Sequence, residues 1–197
     1  MRRVRTLGPL LLGALLFGVL VAVIKGQDVG VRDALGNVSA PWVVVPFLAG
    51  MRADRIWRGA VLGIATTLAS LIGFYVAEAA ILDLGPHPWY IDLKLTVGTV
   101  NIYEKWGLVS GSLYGALGAL WASRRLIVAP IALGLAFVAE PLIVLLVVRA
   151  GLWGGGGLLD HSWMWMAEVL LGAGAIALVV ARARTRRAGL TISSGLE

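Results

Sequence analysis

Four apolar runs in this chain each approach the length a helix needs to cross a lipid bilayer, and this limits its fold more than any other feature. A helix rises 1.5 Å per residue, so about 20 mostly apolar residues cover roughly 30 Å of hydrocarbon. The runs extend from about Gly8 to Ile24, Gly59 to Leu82, Leu126 to Val148 and Ser162 to Ala183. The first holds no acid, and the others hold one each: Glu78, Glu140 and Glu168. Composition agrees, because a chain of 197 residues that is 59% hydrophobic and 14% charged cannot hide its apolar surface in one water-soluble core. Lipid is its expected solvent.

Two shorter runs, about Val38 to Met51 and Gly107 to Trp121, are of a length at which a re-entrant or interfacial segment competes with a crossing. Charge favours a crossing for both, since cytoplasmic loops collect Lys and Arg and the basic residues alternate along the chain. Arg2, Arg3 and Arg5 precede the first run, and Arg52, Arg55 and Arg58 follow the second. Arg124 and Arg125 follow the fourth, and Arg182, Arg184, Arg186 and Arg187 end the sixth. Lys25, Arg32, Lys94, Lys105 and Arg149 lie in the opposite loops, mixed with Asp28, Asp33, Asp83, Asp92, Glu104 and Asp160. The expected fold is therefore all-α: a polytopic bundle of six transmembrane helices with both ends cytoplasmic, in the plasma membrane. The formal charge of +6 is mainly a topology signal, so nucleic acid is not an expected partner.

No small-x-small site precedes Lys25, which favours a retained first helix over a cleaved signal peptide. Residues 1–192 read as a single membrane domain, with no polar linker inside it, and Ser193–Glu197 resembles the start of a protease-site linker. The chain has no Cys, which excludes disulfides, thiolate metal sites and thiol catalysis. Between about Asp83 and Trp106, a Gly85-Pro86-His87-Pro88-Trp89 turn leads into a mixed stretch that suits either an interfacial helix or a short hairpin. Gly154–Gly157 suits a hinge, a lid or a slack connector.

Carboxylates at membrane depth carry the most information, because a charge there costs about 2.5 to 3.5 kcal/mol on insertion scales and is usually functional. In the predicted topology Glu78, Glu140 and Glu168 all fall in the outer half of their helices. Each has an aromatic or apolar helical neighbour: Phe74 and Tyr75 beside Glu78, Met164 and Trp165 beside Glu168. Pro141 follows Glu140 and frees a backbone carbonyl one turn earlier. Trp89, Trp106, Trp153, Trp163 and Trp165 cluster toward the outer boundary, more than an interfacial aromatic belt requires. Carboxylates beside aromatic faces are what an organic cation needs. The candidate ligand-binding set is Glu78, Glu140, Glu168, Tyr75, Trp89, Trp163 and Trp165; structural hydrogen bonding of these groups, or a proton or metal-ion site, are the alternatives.

Small residues four apart let helices approach closely in lipid. They recur at Ala14, Gly18 and Ala22, at Ala65, Ala69, Gly73 and Ala77, at Gly107, Gly111 and Gly115, and at Ala173, Ala177 and Ala181. Ordinary packing within the bundle explains most such stripes. The first is the best candidate for a partner surface, because its helix has almost no polar side chain.

In size and predicted topology, and in Ala14-x-x-x-Gly18-x-x-x-Ala22, the chain resembles the substrate-binding S-components of energy-coupling-factor vitamin transporters. That resemblance implies an extracytoplasmic ligand pocket and docking of a membrane coupling subunit on the first helix; no nucleotide-binding motif is present, so active transport would draw on a separate ATPase or an ion gradient. No vitamin-specific motif is present, so the ligand and any cofactor stay open. The segment from Ser39-Ala40-Pro41-Trp42 to Phe47-Leu48-Ala49-Gly50, with the arginines behind it, also resembles a bacterial membrane family of unknown function.

The favoured expectation is a membrane-embedded protein that binds or transports a small molecule, a vitamin or an organic cation, through an outward-opening pocket. One alternative is an intramembrane enzyme in which His87, Asp160 and His161 join the glutamates as metal ligands or acid–base groups, although no His-Glu-x-x-His or nucleophile–base spacing supports it. The other is an assembly subunit acting through helix packing.

Overall fold

The computed structural model describes residues 7–26, 30–81, 88–99, 101–151 and 161–193. Every element among them is helical: α1 Leu7–Lys25, α2 Gly30–Gly36, α3 Ala40–Gly50, α4 Ile56–Ile81, α5 Trp89–Thr99, α6 Asn101–Arg124, α7 Val128–Arg149 and α8 Ser162–Ser193. Four of these, α1, α4, α7 and α8 as far as Thr185, are long and apolar enough to cross a membrane. They correspond to the four long runs of the sequence. Among the shorter runs, the segment near 107–121 sits inside α6, which at 24 residues has the length but carries Ser110, Ser112 and Tyr114. The segment near 38–51 becomes α3, whose 11 residues rise only about 16 Å and cannot cross alone.

Side-chain size is distributed in reverse of a water-soluble core. The largest fully buried side chains are Thr66, Pro46 and Ser70, whereas Leu12, Leu16, Leu20, Leu142, Leu146, Leu170 and Leu171 are all more than half exposed. Large apolar groups outside and small ones inside is the arrangement expected when the surrounding medium is as apolar as leucine and association depends on close backbone contact.

The small residues make those contacts. Ala14, Gly18 and Ala22 are buried against α4, and a Cβ on Gly18 would overlap the Ser70 carbonyl. The first-helix stripe thus packs inside the chain, and the leucines behind it form the exposed face. Gly73 meets Leu15 and Lys25 meets Glu78, so α1 and α4 run parallel. Gly59 faces Gly115 and Gly63 faces Gly111, so α4 and α6 run antiparallel with their backbones nearly touching. α7 and α8 pair antiparallel through Gly134 and Gly172. Thr66 is tolerated within this packing because its hydroxyl donates to the Leu62 and Gly63 carbonyls of its own helix, at 2.9 and 3.1 Å.

The bundle has two chemically different ends. Arg52, Arg55, Arg58 and Arg124 gather at one, beside the start of α1. Lys25, the short α2 and the start of α8 gather at the other, where Ala34 and Met164 pack with Val38 and Trp165. There α1 ends at Gly26, whose φ of +69° turns the chain, and Arg32 reaches back to the Val23 and Ile24 carbonyls at 2.5 and 3.1 Å. The mixed stretch after Pro88 forms the helix α5, not a hairpin, with Trp89 and Tyr90 exposed on it. Arg2, Arg3, Arg5, Asp28, Asp83, His87, Trp153, Gly154–Gly157, Asp160 and residues 194–197 lie outside the described residues.

Candidate functional site

The three intramembrane glutamates are all buried, but each is held differently. Glu78, three residues before the end of α4, pairs with Lys25 at the end of α1; Nζ lies 2.5 Å from Oε1. The parallel register of α1 and α4 brings these ends together. Below the pair runs a column of rings joined edge to face: Phe17 and Trp42 at 5.5 Å, Trp42 and Phe74 at 5.5 Å, Phe74 and Tyr75 at 5.6 Å. The Lys25 ammonium sits 5.7 Å from the Phe74 ring centre. Charge pairing and the ring quadrupole together offset the desolvation of this ammonium. Lys25 was not among the sequence candidates, because nothing in the pattern links positions 25 and 78.

Glu140 binds backbone. One carboxylate oxygen accepts the Ser39 N–H at 2.5 Å and the other accepts the Ala40 N–H. These are unpaired donors at the first turn of α3, which Pro41 helps to start, and no side chain of α3 itself caps them. Nine residues separate Glu140 from Arg149 at the end of α7, roughly 13 Å along the axis. α3 therefore begins well inside the bundle, and Glu140 supplies the negative charge that the positive end of its dipole favours. Irregular backbone at such depth is tolerated only where protein or an aqueous cavity satisfies it, and Glu140 does so here.

Glu168, on α8, is 5% exposed, and among the described residues its carboxyl has no hydrogen-bond partner other than the Glu140 carboxyl. Its close electrostatic neighbour is Glu140, across the α7–α8 contact. A hydrogen bond between the two carboxyls requires a proton on one of them, because two ionised carboxylates are both acceptors. The site is thus an acidic pair at the broken start of α3, with one member held by backbone N–H groups and the other facing that carboxyl.

The aromatic candidates divide. Tyr75 is buried against Phe74, and Trp165 packs with the Ala34–Met164 cluster. Trp89 and Trp163 are more than half exposed. Glu140 and Glu168 come together, while Glu78 belongs to its own pair with Lys25. Trp42, which is not in the sequence-derived candidate set, is the ring at the centre of the column. Among the described residues no three or more His, Asp or Glu are arranged to hold a metal ion. Clefts of about 560 and 580 Å³ open at the arginine end.

A family of unknown function, DUF6518, matches residues 1–195. The chain belongs to this family. The match covers the Ser39–Gly50 segment and the arginines behind it, in line with the resemblance to a bacterial membrane family. No curated protein and no solved structure matches the chain, so the likeness to energy-coupling-factor S-components rests on its sequence alone. Membership in DUF6518 brings no chemistry with it, and the carboxylates must supply the functional argument.

Proposed function

We propose that this chain is a multi-pass membrane protein that binds a small cation at the Glu140–Glu168 pair and serves in its capture or transport. The observation that carries this proposal is Glu168: a buried carboxyl whose one partner among the described residues is a second carboxyl that already accepts two backbone N–H groups. Two acids this close in a low-dielectric interior need a positive charge between them, either a proton or a cation. The N-terminus of a short helix starting at depth is also how broken-helix transporters build their sites, with backbone ends and carboxylates meeting near the midplane. In the full topology, six crossings place both chain ends and the arginine clusters in the cytoplasm of the plasma membrane. α2 and α3 then share the second crossing, and the acidic pair opens toward the outside. Trp165 and the Phe17–Trp42–Phe74 column supply the nearby aromatic surface.

A thermal-shift screen of the detergent-purified chain against polyamines, aromatic amines, cationic vitamins and divalent metals tests this. A ligand at a hundredfold excess over its Kd adds about 2.7 kcal/mol to stability. A shift present in the native chain and lost in Glu168→Gln is the expected result. No shift with any cation would remove the support for this function.

A second reading has one observation in its favour. The bonds of Glu140 to Ser39 and Ala40 are internal to the chain, as they would be in a subunit that acts only through its packed helices. Unchanged activity of the host complex in Glu168→Gln, with assembly lost in Glu140→Ala, would favour it.

A further inference from the structure

At the arginine end, remote from the acidic pair, a cleft of about 560 Å³ lies between the start of α1, the α3–α4 turn and the last turn of α6. Its floor is apolar, with Leu10, Val61 and Leu62, and its rim carries Arg52, Arg58 and Trp57. Trp57 also lines the adjoining cleft of about 580 Å³, together with Arg55 and Arg124. Trp57 is more than half exposed, and the Arg58 guanidinium lies 5.2 Å from its ring centre. Asp54 engages Arg58 through both carboxylate oxygens at 2.9 Å. Arg52, Arg55 and Arg124 form no ion pair with a described carboxylate.

From this arrangement we infer that the arginine end holds an acidic phospholipid of the leaflet it faces. A floor of Leu and Val beneath a rim whose Arg52 has no ion-pair partner among the described residues, with Arg55 and Arg124 alongside, fits an amphiphile with an anionic head and an acyl chain. A soluble anion would use the rim and leave the floor wet. Charge complementarity selects an acidic headgroup over a zwitterionic one, since Arg52, Arg55 and Arg124 outnumber the negative charge beside them. Trp57 has the amphipathic ring that settles at headgroup level, and its stacking on Arg58 holds both at that depth. Basic pockets between transmembrane helices at a cytoplasmic face take anionic lipid heads for the same reasons. This inference requires only that the chain crosses a bilayer, and it is independent of any cation at Glu140 and Glu168.

The test uses the full chain in neutral detergent, with phosphatidylglycerol and phosphatidylcholine of matched acyl chains as probes. Phosphatidylglycerol raises the midpoint of thermal unfolding and phosphatidylcholine does not. Arg52→Gln and Arg55→Gln each weaken the phosphatidylglycerol titration about fivefold, the loss expected for one interfacial arginine. Neither side chain has an ion-pair partner to strand among the described residues, so both variants unfold at the native midpoint without lipid. Native mass spectrometry from mixed micelles, on the unaltered chain, shows phosphatidylglycerol retained over phosphatidylcholine. Equal effects of the two lipids, an unchanged titration in the double variant, or an equal shift from inorganic phosphate alone would each overturn the inference; the last would make this a free-anion site.

Discussion

The carboxylate of Glu140, well inside α7, accepts the backbone N–H of Ala40 at the first turn of α3, a hundred positions earlier in the chain. With its second bond, to Ser39, this ties the start of a helix too short to cross a membrane to the middle of one long enough to do so. The same carboxylate lies beside Glu168, so one residue joins the structural device to the proposed site.

Removing this cap destabilises the fold. Hydrogen bonds to a charged group contribute about 1.5 to 3 kcal/mol each, and a buried donor left without a partner adds to the loss. Glu140→Ala is expected to lower stability by about 3 kcal/mol, and Glu140→Gln, which keeps one acceptor oxygen in place, by about half as much. Chemical denaturation in mixed micelles measures both, and equal stability of all three proteins would show that the α3 terminus is satisfied some other way.

Lys25 and Glu78 behave as a buried ion pair, with side chains 13% and 6% exposed. Losing the ammonium strands the buried Glu78 carboxylate, so Lys25→Met alone costs about 3 to 5 kcal/mol. Replacing both by apolar residues of similar size recovers most of the loss. A double-mutant cycle reads the coupling directly, and additive losses would mean that the two groups do not depend on each other.

The α4–α6 contact depends on the absence of side chains. A Cβ on Gly63 would overlap the Gly111 carbonyl, whereas one on Gly13 meets nothing within 4 Å. Gly63→Ala is therefore expected to lose about 1 to 3 kcal/mol through forced backbone separation. Gly13→Ala is expected to be neutral or stabilising by up to about 1 kcal/mol, from helix propensity. Thermal melts of the two variants separate the effects, and equal melts would contradict the close α4–α6 packing.

Much of this architecture is legible in the sequence. The four long apolar runs become α1, α4, α7 and α8, because hydrocarbon thickness imposes one length on all of them. The stripes on α1 and α6 mark helix contacts, since backbone proximity in lipid requires small residues at fixed spacing, whereas Ala173, Ala177 and Ala181 are exposed and Gly172 makes the contact with α7 instead. Burial of Glu78, Glu140 and Glu168 follows from their position inside apolar runs. Their partners were not legible. Lys25 reaches Glu78 through the relative register of two parallel helices, which no local periodicity encodes. The amides of Ser39 and Ala40 are backbone groups, and Ser39 makes no side-chain cap that would mark the helix start. Trp89 and Trp163 look like pocket residues by boundary position, yet boundary position equally suits the exposed sites they occupy.

The central claim is that Glu168 awaits a positive charge. Its most direct test is the affinity of the cation found by the thermal screen, titrated calorimetrically from pH 8 to pH 5 in the native chain and in Glu168→Gln. Protons compete with the cation for the acidic pair, so native affinity falls as the pH is lowered. Glu168→Gln binds at least tenfold more weakly at pH 8, a loss of about 1.4 kcal/mol or more, with a flattened pH profile. Native affinity and an unaltered pH profile in Glu168→Gln would contradict the account and place any cation elsewhere in the bundle.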